Sequence, residues 1–337
     1  METVLAEDVF QEAFESVRPH VPECIAVAIS SGQRVSQRTI SRCLDNASRE
    51  EFIQRGFLPL HMRAHLNLVS SPGADAWLHA PPSKQLDTKM APELFRISIA
   101  SWLRMPLLSD HGTCPMCGTA LDVYMDHALV CSCGGDRTLR HNSVRNCTYK
   151  FAQQGDLHPE REKACILPPR PSDEEGPQTI THGSRGARRP ADIWLPRGPD
   201  GGATAVDFAV TSGLRNDRFQ DVANDPSVVF SAYEEYKRSY LNTAAQCYEA
   251  GVAFIPFVIE AHGGGLSATS RRVCGYLASA VATAHGKVDE SATTLLRGIS
   301  IAVHRENARA KLRRFPISYS ERMDEATPDA WVEPSWQ

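Results

Sequence analysis

The sequence predicts a mixed α/β protein with a cysteine-rich metal module on the amino-terminal side of its sheet. Three observations carry this. Between residues 140 and 285 the apolar pattern runs helix, three short strands, long helix, strand, helix. Just ahead of it, three cysteines and a histidine cluster at metal-ligand spacing. Within the strand region, two aspartates stand where a half-buried sheet has little reason to place them.

The elements follow in order. Residues 1–105 read as a mainly helical region with polar connections; LFRISIASWL (94–103) has near-helical apolar spacing. SSPGADAWLHAPPSK (70–84) opens on a turn and closes on a proline pair that bars helix. Residues 106–139, rich in cysteine and glycine, form the zinc module. Residues 140–290 form the α/β core: a helix at about 141–155, strands CIL (165–167), ADIWL (191–195) and AVDFAVT (205–211), a long helix at about 228–250, strand VAFIPFVIEA (252–261) and a helix at about 266–284. PPRPSDEEGPQTITHGSRGARRP (168–190) reads as a long surface loop, and residues 291–337 as a carboxy-terminal helix with a loose tail.

Composition excludes several classes. A hydrophobic fraction of 42% with 23% charged residues is ordinary for a globular chain, not a fibrous or disordered one. No apolar run approaches the roughly 18 residues of a membrane span, and METVLAEDVFQEAFESV is acidic and amphipathic, unlike a secretory signal. An intracellular, nuclear or cytoplasmic protein is expected. Its ten cysteines are read as reduced. The net charge of −4 argues weakly against nucleic acid, but basic residues gather at Arg137–Lys150, Arg185–Arg189 and Arg305–Arg314, which permits a local basic channel.

Cys114 and Cys117 have C-x2-C spacing, and His127 and Cys131 follow a short loop later, enough for a closed tetrahedral zinc site. Gly118 gives the turn its backbone freedom. Cys133 competes with Cys131 for the fourth position. Tyr124-Met125-Asp126-His127 imitates the YxDD of polymerases, but histidine replaces the second aspartate and no other polymerase motif accompanies it.

In AVDFAVT the two-residue period puts Val206, Phe208 and Val210 on one face and Ala205, Asp207, Ala209 and Thr211 on the other. A divalent cation, Mg2+ or Mn2+, shared by Asp192 and Asp207 would relieve the repulsion of two carboxylates and activate a phosphodiester for hydrolysis. A lysine would be expected two residues beyond the second acid, where Ala209 stands; Lys237 on the following helix can fill the gap, the alternative being a solvated lysine paired with Glu234 or Glu235. Tyr240, one turn on, is placed to bind phosphate. Glu162 is a third candidate acid with Glu160 its competitor, and His141, after Arg140, opens the helix before the strands. His262-Gly263-Gly264-Gly265 imitates an oxyanion-hole segment, but no separate strand carries a G-x-S-x-G elbow, so a serine hydrolase is not expected.

Taken in order, CPMC, DHALVC, GGDRTLRHN, an acid before ILP, RRPADIWLP, AVDFAVTS, YEEYKRSY and FIPFVIEAHGGG resemble the carboxy-terminal region of site-specific non-LTR retrotransposon polyproteins. There a CCHC zinc knuckle leads into a restriction-like endonuclease that nicks target DNA before reverse transcription. The likeness spans roughly residues 60–310 and is strongest over 110–265. It implies a restriction-endonuclease-like core, selects Cys131 over Cys133 as the fourth ligand of a structural Zn2+, and makes Asp192, Asp207, Lys237 and Glu162 the catalytic set with Mg2+ or Mn2+. His141, Arg140, Arg189 and Tyr240 become DNA contacts. DNA is the implied partner, with element RNA and a reverse transcriptase on another chain as further ones. Ala191 departs from the family's Pro-Asp pair, and nine residues separate Cys117 from His127, slightly more than the family's spacing. The alternative is a zinc-containing nucleic-acid-binding protein whose nuclease core is inactive, from a decayed or domesticated element.

Overall fold

A computed structural model describes residues 14–15, 17–54, 58–167, 189–286 and 288–315. The chain divides into two compact units, Met1–Pro59 and Leu60–Gln337. In the first, helices α1 (Glu23–Ser30) and α2 (Gln37–Gln54) follow a single 3-10 turn. The Ser36 hydroxyl accepts the Thr39 amide at 3.2 Å, a side-chain cap just ahead of α2.

The second unit is built on a four-stranded sheet in the order β3 (Glu160–Arg161), β4 (Ile193–Leu195), β5 (Thr204–Thr211), β6 (Ala253–Glu260). β3 and β4 are antiparallel, as are β4 and β5, whereas β5 and β6 run parallel from Thr204↔Ala253 to Thr211↔Glu260. A mixed α/β architecture is therefore what the sequence forms.

Val206 and Phe208 of β5, with Ile255, Phe257 and Ile259 of β6, enter the main core, where α6 (Asp136–Gln154), α10 (Ala268–His285) and α11 (Val288–Leu312) cover them. Alternation along β5 thus sets which face is core. Helices α8 (Val228–Ser239) and α9 (Thr243–Glu249) pack on β6. The other alternation set of β5 carries Ala205 and Ala209, both buried and small, around Asp207.

Four expectations are corrected. Residues 60–105 do not belong to a separate amino-terminal region. Leu68 of α3 (Leu60–Val69) packs with Val222 of α7 (Phe219–Asn224) and Val229 of α8, and Leu94 and Ile97 of α4 (Pro92–Trp102) pack with Leu121, Met125 and Ala308. The edge strand is Glu160–Arg161, not CIL at 165–167; Cys165 adopts φ 63°. The helix expected over 228–250 is two helices, because Leu241 and Asn242 take φ 51° and 52° and turn the chain.

The fourth concerns the basic run 305–314, of which Arg305, Lys311 and Arg314 are buried while Arg309 and Arg313 stay exposed. Arg305 reaches Asp87 at 3.0 Å, Arg309 reaches Glu306 at 2.5 Å, and Lys311 donates to Ser101 Oγ and the Tyr124 carbonyl at 3.0 and 2.9 Å. Arg314, fully buried, pairs with Asp136 at 2.6 Å. Buried charges must be paired, so Arg305, Lys311 and Arg314 are committed to holding α11 in place. Residues 168–188, most of the expected surface loop including Arg185, and residues 316–337, the expected tail, lie outside the described residues.

Candidate metal centre and active-site groove

A two-stranded hairpin, β1 (Gly112–Thr113) with β2 (Ala120–Leu121), carries Cys114 and Cys117 in its turn. The turn closes by Cys114 N–H to the Thr119 carbonyl (2.8 Å) and Gly118 N–H to the Cys114 carbonyl (2.9 Å), with Gly118 at φ 73°. His127 opens the one-turn helix α5 (His127–Val130), and Cys131 follows it, its amide donating to the His127 carbonyl at 2.9 Å. One helical turn therefore sets both side chains on the same side.

The four ligand atoms lie within 4.8 Å of one another. Cys117 Sγ is 3.1 Å from His127 Nε2 and 3.6 Å from Cys131 Sγ. A tetrahedral Zn2+ with bonds of about 2.3 Å to sulfur and about 2.0 Å to nitrogen requires ligand separations of about 3.5–3.8 Å. Donor set and spacing fit, so Cys114, Cys117, His127 and Cys131 could hold a metal such as zinc. Cys133 is outside this cluster; its carbonyl accepts from Arg314 at 3.0 Å. Through that contact the Arg314 guanidinium stands beside the module. This supporting cation, anchored by Asp136, was not singled out from the sequence.

A second constellation lies on β5. Asp207 Oδ2 receives the Lys237 ammonium of α8 at 2.8 Å. Asp192, just before β4, accepts His141 Nε2 at 3.0 Å and the Phe208 amide at 2.6 Å on Oδ2. Its own amide donates to the Val206 carbonyl at 3.0 Å, although Val206 is in register with Ile193. A one-residue slip of this kind bends a strand start and re-aims the side chain.

The two carboxyls lie close enough to influence each other, and their ionisation separates. Burial pushes Asp207 up to about 6, against Lys237, and the Asp192 charge pushes the same way. Burial opposes Asp192 as well, but His141 and the Phe208 amide overcome it and hold that carboxyl below its ordinary value. The His141 imidazole loses by burial and gains more from Asp192, so its pKa is raised. Lys237 is likewise opposed by burial and carried upward by Asp207. Glu234, the alternative partner for Lys237, instead accepts from Arg238 at 3.0 Å and Thr269 at 3.1 Å.

No family model and no curated protein matches this chain.

Three connected hollows run past these residues. A cleft of about 1150 Å³ lies between the cysteine module, the start of α6 and the end of β5, with Arg104, Arg137, Ser212 and Arg215 on its walls. It shares Arg137 and Tyr233 with a second hollow of about 340 Å³, which touches His141, Ala209 and Lys237. That one shares Lys237 and Tyr233 with a third, of about 430 Å³, lined by Arg189, Asp207, Tyr236 and Tyr240. Through these shared residues the three hollows adjoin as a groove with cationic walls, which Asp207 lines and Asp192 does not.

The remaining site candidates fall differently. Arg189 is exposed in the groove and Tyr240 is 51% exposed there. His141 is committed to Asp192. Arg140, expected as a DNA contact, is instead buried, donating to Asn307 Oδ1 at 2.7 Å and to the Leu129 carbonyl at 2.9 Å. Helix α6 turns it inward toward Glu260, whose buried carboxylate accepts the amides of Gly213 (3.1 Å), His262 (2.7 Å) and Gly263 (2.6 Å). Burial pushes Glu260 up to about 7 despite those donors. Glu162 meets the Asp192 carbonyl through its amide at 3.1 Å, while its carboxylate takes Arg145 at 2.5 Å; its rival Glu160 pairs with Lys163 at 2.8 Å. Arg145, missed from the sequence, lies one helical turn after His141 on α6.

The HGGG segment is structural. A Cβ on Gly263 would meet the Leu68 carbonyl at 2.5 Å, so only glycine lets this loop close against α3. His262 shares a 2.8 Å hydrogen bond with Ser212 and stays neutral, since burial holds its pKa well below the ordinary value. Its Nδ1 is 3.9 Å from Asp126, whose two oxygens are held by Arg104 at 2.7 and 2.6 Å. That last pairing also accounts for the YMDH segment. Among the described residues no helix is long and apolar enough to cross a membrane.

Proposed function

We propose that this chain is a metal-dependent DNA endonuclease of restriction-like type, derived from a retroelement and stiffened by a structural zinc module. The observation that carries the reading is the Lys237–Asp207 contact of 2.8 Å beside Asp192, set in a groove with cationic walls. Two adjoining carboxylates with a lysine supplied from α8 are the residues that hydrolysis of a phosphodiester needs. The order α6, β3, β4, β5, then helices α7 to α9, then β6 parallel to β5, supports a restriction-like core.

Asp192 and Asp207 are oxygen donors suited to Mg2+ or Mn2+, hard cations that take carboxylates. Bound there, such an ion would polarise the scissile phosphate and lower the pKa of water. The chain's own residues do the rest. His141 and the Phe208 amide fix the orientation of Asp192 and keep it ionised. A bound cation would favour the ionised form of Asp207, which burial and, to a lesser extent, the Asp192 charge oppose. Lys237 holds Asp207 in place and presents its ammonium to the charge that develops on phosphate oxygen in the transition state. Arg189 and Arg137 attract the strand on either side, which makes binding salt-dependent. Nuclear work on DNA, with a reverse transcriptase on another chain and element RNA as partners, belongs to the same proposal.

Nicking of branched and linear DNA in Mg2+ or Mn2+, with Asp207→Ala alongside, tests it. Metal-dependent nicking by the wild type and none by the variant is expected. Binding without nicking in either metal would replace the enzyme with the inactive binding protein.

A further inference from the structure

Three tyrosines rise along α8 into its terminal turn on the groove side: Tyr233, Tyr236 and Tyr240. Their ring centroids are 5.6 and 5.5 Å apart, tilted by 63° and 41°. The outer two are half exposed, 50% for Tyr236 and 51% for Tyr240, and both line the hollow that contains Asp207, Lys237 and Arg189. Elsewhere the protein covers aromatic faces with its own cations: Arg104 over Tyr124 at 4.0 Å, Arg161 over Tyr149 at 4.8 Å, Lys163 over Trp194 at 3.2 Å. Among the described residues no cation lies over Tyr236 or Tyr240.

Exposed aromatic faces beside cationic side chains match the chemistry of an unpaired nucleic-acid strand. Its bases can stack on tyrosine while its phosphates lie along arginine and lysine. A duplex offers nothing to such faces, because its bases already stack on one another. The tilted rings, more than 5 Å apart, accept bases spread along an extended strand. Leu241 and Asn242, both at positive φ, turn the chain straight after Tyr240 and so end the row at the rim of the hollow.

We propose that the groove takes DNA as an unpaired strand, with bases stacked on Tyr236 and Tyr240 and a phosphate delivered to Lys237 and Asp207. The substrate would then be DNA opened near the cleavage point, such as a flap, a bubble or a junction, in place of continuous duplex. This rests on the nuclease reading only for what happens to the phosphate; the stacking itself does not need cleavage.

The test uses the full zinc-loaded chain without added Mg2+ or Mn2+, where cleavage cannot intervene. Fluorescence anisotropy follows a labelled thymidine oligonucleotide and a duplex of the same length, and an oligonucleotide containing 2-aminopurine reports stacking by quenching. Tyr236→Ala and Tyr240→Ala should each weaken single-strand binding by about 5- to 150-fold, relieve the quenching and leave duplex affinity unchanged. Tyr236→Phe and Tyr240→Phe should keep both signals. Both rings are half exposed, so the alanine variants are expected to fold, and circular dichroism checks this. Alanine variants that bind the single strand like the wild type would overturn the inference and leave these rings for contact with another protein. Phenylalanine variants as weak as the alanine ones, or tighter capture of RNA of the same sequence, would overturn it too. Stacking in a chain that never nicks DNA would sink the nuclease alone; nicking undisturbed by the alanine variants would sink the stacking alone.

Discussion

Lys237 of α8 crosses to Asp207 of β5, Nζ to Oδ2 at 2.8 Å, with each side chain about one-fifth exposed (23% and 21%). The contact joins two elements that are separate in sequence, and Lys237 lines the same hollow as Ala209. Substituting Lys237 by alanine should lower the nicking rate by about 10²–10³-fold, as for loss of one transition-state stabiliser. The melting temperature should also fall, because the pair is mostly buried and Asp207 is left without its partner, so the rate is compared on protein that circular dichroism shows to be folded. Parallel rate and melting measurements check this; a rate within error of wild type would remove Lys237 from the chemistry.

The pH dependence follows from Asp207, which burial raises to about 6 against about 3.9 for an unfolded chain. A carboxyl raised on folding binds its proton more tightly in the folded state. Its contribution to stability is therefore present below about pH 3.9 and is lost as pH rises through about 6. A divalent cation competes with that proton. Mg2+ affinity, measured by calorimetry, should rise as pH increases through about 6, with proton release below it. Affinity flat across pH 5 to 8 (roughly the window around that value) would detach Asp207 from metal binding.

Zinc content is the readout for the cysteine module. Cys114→Ser and Cys131→Ser should lose the metal, and Cys133→Ser should keep it, because Cys133 is not among the converging ligands. Loss of a structural ion worth several kcal/mol should lower the melting temperature by about 10 °C. Retention by Cys131→Ser with loss by Cys133→Ser would reverse the assignment.

Arg140 gives the sharpest contrast between surface and interior. Removing one partner of a buried charged network costs about 3–5 kcal/mol, so Arg140→Ala should be strongly destabilised in urea. Arg137→Ala and Arg189→Ala, both exposed in the groove, should keep their stability and reduce the salt dependence of DNA binding by about one counterion each. An Arg140→Ala variant that stays stable and binds DNA weakly would return Arg140 to the binding surface.

These contrasts show what the sequence made legible. AVDFAVT alternates cleanly, so β5, its core face and the odd position of Asp207 could all be read. The cysteine spacing identified the module because ligand geometry is local: a hairpin turn and one helical turn bring the four donors together. The edge strand was misplaced because Glu160–Arg161 is two exposed charged residues with no apolar pattern to betray it. The break after Ser239 was invisible because Tyr236, Tyr240, Ala244 and Cys247 keep a helical period across it. Arg140 and the run 305–314 looked like anion-binding surface because composition does not reveal burial. Only the long-range pairs with Asn307, Asp87 and Asp136 show that Arg140, Arg305 and Arg314 face inward.

The central claim is that Asp192 and Asp207 together hold the catalytic metal, and single-turnover nicking of branched DNA across a Mg2+ titration tests it most directly. DNA binding is measured in the same samples, with Asp192→Ala and Asp207→Ala beside the wild type. The expected result is nicking by the wild type that saturates with Mg2+ and vanishes when Mg2+ is left out and zinc retained, with both variants binding DNA and cutting none. Nicking that survives without Mg2+ or in either variant, or a wild type that binds and never nicks, would contradict it.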